Sequence, residues 1–123
     1  MKRSILVVDD EPNIVLSLEF LMSQLGHEVR IANDGEAALK AVTESAPHLI
    51  LLDVMMPKRD GYSICRAIRN NAEWEDIKII LLTAKGREEE REKGLALGAD
   101  DYITKPFSTR KVVEKVQNLL GGK

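Results

Sequence analysis

Short, continuous apolar runs alternate along this chain with segments of helical periodicity, and this alternation constrains the fold more than any other feature. Three runs, at 5–8, 49–52 and 79–82, have strand length and contain no polar residue, which is typical of strands buried on both faces. Two further segments resemble strands nearer the edges, because 28–31 alternates polar and apolar residues and 102–104 is short. Five strands are therefore predicted, three central and two peripheral.

Five helical patterns follow the strands in turn. They are predicted at 12–25, 34–45, 61–69, 86–97 and 108–120. Pro12 suits a first helical turn, Gly26 and Gly98 suit the position after a helix, and Ser108 is a typical N-cap. The alternation predicts right-handed βαβ units, and hence an α/β fold with a doubly wound, five-stranded parallel sheet covered on both sides. We expect one domain over residues 1–123, with a core at about 3–120 and no output domain in this chain.

The composition excludes several classes of function. The chain has 123 residues, 44% of them hydrophobic and 31% charged, which is ordinary for a globular domain. A net charge of -2 offers no basic surface for nucleic acid, and no apolar run approaches the roughly 20 residues that span a bilayer. Cys65 is the one cysteine, which excludes an internal disulfide, and His27 and His48 belong to no cluster of metal ligands. We therefore expect a cytoplasmic protein that binds neither nucleic acid nor membrane directly.

Polar side chains follow each predicted central strand, and another follows the last strand. The residues are Asp9, Asp10 and Glu11 after the first strand, Asp53 after the third, Thr83 after the fourth and Lys105 after the fifth. In an open α/β sheet, ligands bind beyond the carboxyl ends of the strands. Loops are usually polar, which would explain any one of these residues, but it explains poorly why several acids, a hydroxyl and a lysine converge.

The convergence of acids has a chemical consequence. Carboxylates crowded together raise one another's pKa, and a hard divalent cation with oxygen ligands, Mg²⁺ above all, relieves the repulsion. A carboxylate in such a setting can attack phosphorus, while a metal, an ammonium and a hydroxyl neutralise the phosphoryl oxygens. The carboxyl edge of the predicted sheet therefore carries the groups that phosphoryl transfer to an aspartate requires.

Four motifs, in this order and spacing, resemble those of the receiver domains of two-component response regulators. They are 7–11 (VVDDE), 53–57 (DVMMP) with Asp60-Gly61, 83–84 (TA) and 98–107 (GADDYITKPF). The resemblance covers roughly residues 3 to 120 and implies a CheY-like, flavodoxin-like fold with strand order 2-1-3-4-5. It also implies a signalling switch rather than an enzyme that turns over an outside substrate.

The same resemblance assigns the acceptor and the metal. Asp53 is expected to take a phosphoryl group from the phosphohistidine of a sensor histidine kinase or from a phosphotransfer protein. Mg²⁺ (or Mn²⁺) is expected to be bound by Asp10, Asp53 and the backbone carbonyl of Met55, with Asp9 acting through water.

The remaining implied roles concern the response to phosphorylation. Lys105 is expected to pair with the phosphoryl oxygens, and Thr83, followed by Ala84, to bond the phosphoryl group and move towards it. Tyr102 is then expected to swing inward and change the surface of helix 4, strand 5 and helix 5, which meets a downstream protein or a linked output domain. The bond between Lys105 and Pro106 is expected to be cis.

Two positions near the acceptor differ among receivers, and here they are Met55 and Lys85. Hydrolysis of an acyl phosphate needs a water held in line with phosphorus, which a methionine thioether orients poorly. We therefore expect slow self-dephosphorylation.

A phosphorylation-dependent homodimer is left open by the output surface. Receivers that dimerise there usually place an acid early in helix 5, opposite a base on helix 4. This chain has Lys111 at that place, expected to face Arg91 with like charge, whereas Asp100 and Asp101 on strand 5 and Lys115 on helix 5 keep the usual pattern.

Other interpretations compete with this one. Asp9 and Asp10 could simply cap the first helix, and Tyr102 could simply pack at an edge strand. A phosphohydrolase of the haloacid dehalogenase type would need a second acid where Met55 stands, and a flavin-binding protein would need a Ser, Thr and Gly-rich loop in place of 9–11. The main alternative is a receiver-like interaction module that works without phosphorylation.

Overall fold

A computed structural model describes residues 3–56, 60–84 and 88–121 of the chain. Within these residues, strands and helices alternate from one end of the chain to the other. The elements are β1 (Ser4–Val8), α1 (Pro12–Gln24), β2 (Glu28–Ala32), α2 (Gly35–Glu44), β3 (Leu49–Asp53), α3 (Gly61–Arg69), a single 3₁₀ turn (Ala72–Trp74), β4 (Lys78–Ala84), α4 (Glu88–Ala96), β5 (Asp101–Lys105) and α5 (Thr109–Leu120).

The strands form one parallel sheet in the order β2-β1-β3-β4-β5. The predicted fold class and strand order are therefore confirmed. The register aligns the carboxyl ends, because Val8 lies beside Leu52 while Ala84 lies beside Lys105. Whatever follows these strands must emerge at one edge of the sheet.

The core has two layers, because side chains of each buried strand point alternately to opposite faces of the sheet. Along β1, Ile5 and Val7 pack with α1 and α5, whereas Leu6 and Val8 pack with α2 and α3. All four are completely buried. Burial of such a side chain stabilises the fold by about 1.5–3 kcal/mol, so the sheet is a rigid platform for the loops at its carboxyl edge.

Capping interactions define the helix ends. Ser108 accepts a hydrogen bond from the Lys111 N–H at 3.2 Å, as its predicted N-cap role requires. After α1, Gly26 has φ +90°, the left-handed conformation in which glycine meets no steric penalty. Helix α4 is described from Glu88, two residues after the predicted start at 86, and residues 85–87 lie outside the described part of the chain.

Local sequence patterns missed some features. Strand β5 extends one residue beyond each end of the predicted 102–104 segment, and the 3₁₀ turn at Ala72–Trp74 was not predicted. The peptide bond between Lys105 and Pro106 is cis, the isomer that the resemblance implies.

In the described part of the chain, no helix is long and apolar enough to cross a membrane.

Candidate functional site

Three carboxylates meet at the carboxyl edge of the sheet. Asp9 and Asp10 directly follow β1, and Asp53 is the last residue of β3, the strand beside it. One oxygen from each of the three lies within 4.8 Å of the others. Asp9 and Asp53 are buried, with 0% and 5% of their surfaces exposed, whereas Asp10 is exposed. The cluster is thus an acidic pocket with an opening to solvent.

Lys105 brings a positive charge into this pocket from the end of β5. Its Nζ lies 2.9 Å from Asp9 Oδ2 and 3.0 Å from Glu11 Oε1. It also lies 3.6 Å from Asp53 Oδ1. The lysine therefore offsets part of the repulsion among the acids while it remains close to the predicted acceptor.

Backbone N–H groups orient the two buried carboxylates. The Glu11 N–H donates to Asp9 Oδ1 at 2.9 Å, and the Met55 N–H donates to Asp53 Oδ1 at 3.2 Å. Both bonds span two residues and are of the kind that aspartate side chains form where the chain turns at the end of a strand. Local turn chemistry therefore orients the carboxylates of Asp9 and Asp53.

Burial and charge perturb the titration of the pocket. Burial and, after it, the negative charge of Asp9 raise the pKa of Asp53 from 3.8 to about 6, against the opposing charge of Lys105. For Lys105, burial lowers the pKa, but hydrogen bonds to Asp9 and Glu11 outweigh it, so the pKa of the ammonium is raised. At neutral pH Lys105 is charged and Asp53 is mostly ionised. The ionised form of Asp53 is nevertheless less favourable in this pocket than it would be in water.

The pocket opens into a cleft of about 430 Å³, lined in part by Met55, Ala84 and Pro106. Met55 exposes 63% of its surface, so its thioether stands at the entrance. Thr83, on the strand next to Asp53, is buried, while Ala84 after it is exposed. Residue 85, also predicted to lie near the acceptor, is outside the described residues.

Tyr102 lies away from the acids, between α4 and α5. The Arg91 Nη1 donates to its hydroxyl at 2.9 Å, and the Arg91 guanidinium carbon is 5.0 Å from the ring centre. Lys115 Nζ lies 5.2 Å from the same ring centre and forms an ion pair with Asp101 at 3.0 Å. Arg91 therefore contacts the ring of Tyr102. The prediction from sequence considered only the like charges of Arg91 and Lys111 and did not include this contact.

The predicted place of Asp100 is wrong. It precedes β5 rather than lying in it, and its Oδ2 accepts hydrogen bonds from Arg69 Nη2 and the Ile79 N–H, both at 2.8 Å. These two hydrogen bonds hold Asp100 at the residue before β5. Asp100 therefore braces α3 against the sheet and is not part of the α4–β5–α5 face.

Glu11 belongs to the motif at 7–11, but no role was predicted for it. In the structure its carboxylate contacts Lys105 across the pocket. A signal was present, because Glu11 precedes Pro12 at the N-cap position of α1, where shorter polar side chains are preferred.

The fold and the site together define the class of protein: an α/β domain whose parallel sheet presents an acidic pocket and a lysine at its carboxyl edge. A model of the response regulator receiver domain matches residues 5–117. The chain belongs to the response regulator receiver family, the CheY-like signalling domains of two-component systems.

Individual proteins agree with this assignment. The probable transcriptional regulator ycf27 of Cyanophora paradoxa is 49% identical over 119 residues, which cover 97% of this chain and 48% of that protein. The chain thus spans about half the length of that relative. A solved structure from Chloroflexus aurantiacus J-10-fl, assigned as a response regulator, is 34% identical with a TM-score of 0.95, covering 98% of this chain and 99% of that one.

A third protein bears on the metal. The receiver domain of the sensor histidine kinase PA1611 from Pseudomonas aeruginosa PAO1 is 32% identical with a TM-score of 0.89, and the match covers 99% of this chain and 100% of that one. That domain was solved with a magnesium ion coordinated in its active-site cleft. Receiver domains thus bind Mg²⁺ in the cleft, and the cluster of Asp9, Asp10 and Asp53 fits such an ion.

Proposed function

We propose that this chain is a phosphorylation-operated switch in which Asp53 accepts a phosphoryl group from the phosphohistidine of a sensor histidine kinase or phosphotransfer protein. The observation that carries the proposal is the convergence of three carboxylates within 4.8 Å, with the Lys105 ammonium 3.6 Å from Asp53. Two buried acids beside a third acid repel one another and are unfavourable for stability alone, which supports a chemical role.

The donor set fits Mg²⁺, and by the same chemistry Mn²⁺, because every side-chain donor in the cluster is a carboxylate oxygen. Asp10, Asp53 and the Met55 carbonyl would hold the ion, and Asp9 would act through water. When bound, the ion neutralises negative charge on the acids and on the phosphoryl oxygens.

The residues of the chain perform the transfer by position and charge. A carboxylate oxygen of Asp53 attacks phosphorus, the P–N bond breaks, and the imidazole leaves with the bonding electron pair. Lys105 then pairs with a phosphoryl oxygen, for which its place beside Asp53 is already suitable. Thr83, buried on the neighbouring strand, would bond another oxygen after a small shift.

The output follows from where Tyr102 lies. Inward movement of its ring, coupled to Thr83, would change the face formed by α4, β5 and α5 that a downstream protein or a linked output domain meets. The domain assists its own phosphorylation and slow dephosphorylation but turns over no outside substrate, and we place it in the cytoplasm.

Incubation with acetyl phosphate and Mg²⁺, followed by intact-mass measurement, tests the proposal. We expect one phosphoryl group on the wild-type protein, none on Asp53→Ala, and an unchanged gain on Asp76→Ala, which removes an exposed acid outside the pocket. A wild-type protein that gains no phosphoryl group would instead favour an interaction module that works without phosphorylation.

A further inference from the structure

Glu11 occupies the N-cap position of α1 without capping the helix. Its backbone is extended, with φ -90° and ψ 115°, as an N-cap requires, but its side chain makes no capping hydrogen bond. Asp, Asn, Ser and Thr are preferred at this position because their short side chains reach the free N–H groups of the first turn. The glutamate thus gives up a local role that a shorter acid would fill.

The side chain contacts Lys105 instead, 94 residues later in the chain. Its backbone is held on both sides, since the Glu11 N–H donates to Asp9 Oδ1 and its carbonyl accepts from the Val15 N–H at 3.0 Å. Pro12 follows and restricts the chain further. From this fixed base the carboxylate reaches to 3.0 Å from the lysine Nζ.

Lys105 is therefore held among three carboxylates of unequal burial. The side chains of Asp9 and Asp53 are 0% and 7% exposed, whereas that of Glu11 is 61% exposed. The two buried acids draw the ammonium inward more strongly, because solvent screens them less. Glu11 is the partner on the solvent side, and it opposes a closer approach of Lys105 to Asp53.

We propose that Glu11 is a positioning residue that anchors Lys105 at the mouth of the pocket and so keeps the Asp53 carboxylate open to the divalent cation. This inference rests on the proposed function, since it concerns how the same pocket is prepared. An ammonium and a divalent cation compete for the same carboxylate oxygens. Without its outer anchor, Lys105 closes on Asp53 and metal binding weakens.

Glu11→Asp tests whether the length of the side chain matters apart from its charge. The aspartate keeps the negative charge, but it is shorter by one carbon–carbon bond, about 1.5 Å, and it suits the N-cap position. We expect Glu11→Asp to raise the melting temperature by capping α1 and yet to weaken Mg²⁺ binding, measured by calorimetry on the unphosphorylated full chain. A pair of this exposure changes an equilibrium constant by up to about fivefold, and Glu11→Gln should lose at least as much.

Matched controls isolate the contact. Glu73→Asp and Glu73→Gln make the same changes at an exposed acid in the 3₁₀ turn before β4, away from the carboxyl edge, and should leave Mg²⁺ affinity unchanged. In a Lys105→Met background, Glu11→Asp should no longer alter the affinity, since no ammonium is left to position. The NMR resonance of the Lys105 side chain should shift in metal-free Glu11→Asp.

Several outcomes would overturn the inference. Wild-type affinity in Glu11→Asp with weakened binding in Glu11→Gln would mean that Glu11 acts by charge alone. An effect of Glu11→Asp that persists without Lys105 would exclude positioning. In either case a phosphoryl group gained on Asp53 from acetyl phosphate would leave the proposed function standing. A wild-type chain that neither binds Mg²⁺ nor gains a phosphoryl group would contradict both.

Discussion

Asp53 is expected to destabilise the metal-free protein at neutral pH, so Asp53→Asn should raise the free energy of unfolding. The asparagine keeps the shape of the side chain and an oxygen that can accept the Met55 N–H. It removes the negative charge that burial and Asp9 make unfavourable. A residue central to the proposed chemistry is thus predicted to reduce stability.

The magnitude follows from the raised pKa. The difference between 3.8 and about 6 corresponds to about 3 kcal/mol if it acts in full. Solvent screens charges at the open cleft, so we expect about 1–2 kcal/mol. Below about pH 3.8, Asp53 is protonated in both states and contributes nothing. Between about 3.8 and 6 the folded protein keeps a proton that the unfolded chain has lost, so stability falls as pH rises, and above about 6 the whole cost applies.

Urea unfolding followed by circular dichroism, with a chelator present and at pH values on either side of about 6, measures this difference. Asp53→Asn should exceed the wild type above that pH, and the gap should close as pH falls. Asp76→Asn, at an exposed site, should show no comparable gap. Mg²⁺ should then stabilise the wild type more than the variant, because the ion binds the folded state. An Asp53→Asn protein no more stable than wild type above pH 6, or a gap independent of pH, would refute the reasoning.

Three further predictions concern the pocket and the output face. Met55→Asn should shorten the lifetime of the phosphorylated protein severalfold, because an amide can orient the attacking water; an unchanged decay of the intact-mass signal would contradict this. Gly61→Ala should lower the free energy of unfolding by about 1–3 kcal/mol in urea titrations, because its Cβ would lie 2.5 Å from the Asp53 carbonyl oxygen; wild-type stability would show that α3 shifts freely. Sedimentation with beryllofluoride should reveal no tight dimer, since Lys111 stands where receivers that dimerise through this face place an acid, and a tight activated dimer would overturn that expectation.

Periodicity was sufficient to predict five strands in a parallel sheet and to place several polar side chains at its carboxyl edge, whereas the strand order came from the family resemblance. The three continuous apolar runs became the three central strands, and parallel strands necessarily bring Asp9, Asp53 and Lys105 to one edge. Local sequence patterns could not predict which distant residue a long side chain contacts. Glu11 and Lys105 are 94 residues apart, and only the register of the sheet places them together.

The same limit explains the errors near β5. Asp100 and Asp101 are adjacent acids, and their sequence alone suggests a common role. The strand boundary between them directs Asp100 to Arg69 of α3 and Asp101 to Lys115 of α5. Side chains of neighbouring residues at the start of a strand point to opposite faces, so their partners differ completely.

Tyr102 links the charge pattern of the output face to the proposed switch. The faces of an aromatic ring are electron-rich, so the ring can accept two cations, and Asp101 neutralises one of them, Lys115. Arg91 is thus stabilised by the ring and by the hydroxyl of Tyr102. If the ring turns inward on phosphorylation, it must break a hydrogen bond and a cation–π contact, together worth about 1–2 kcal/mol at a half-exposed site. That cost would favour the present position of the ring before phosphorylation, and an inward turn would release Arg91 of α4 from both contacts.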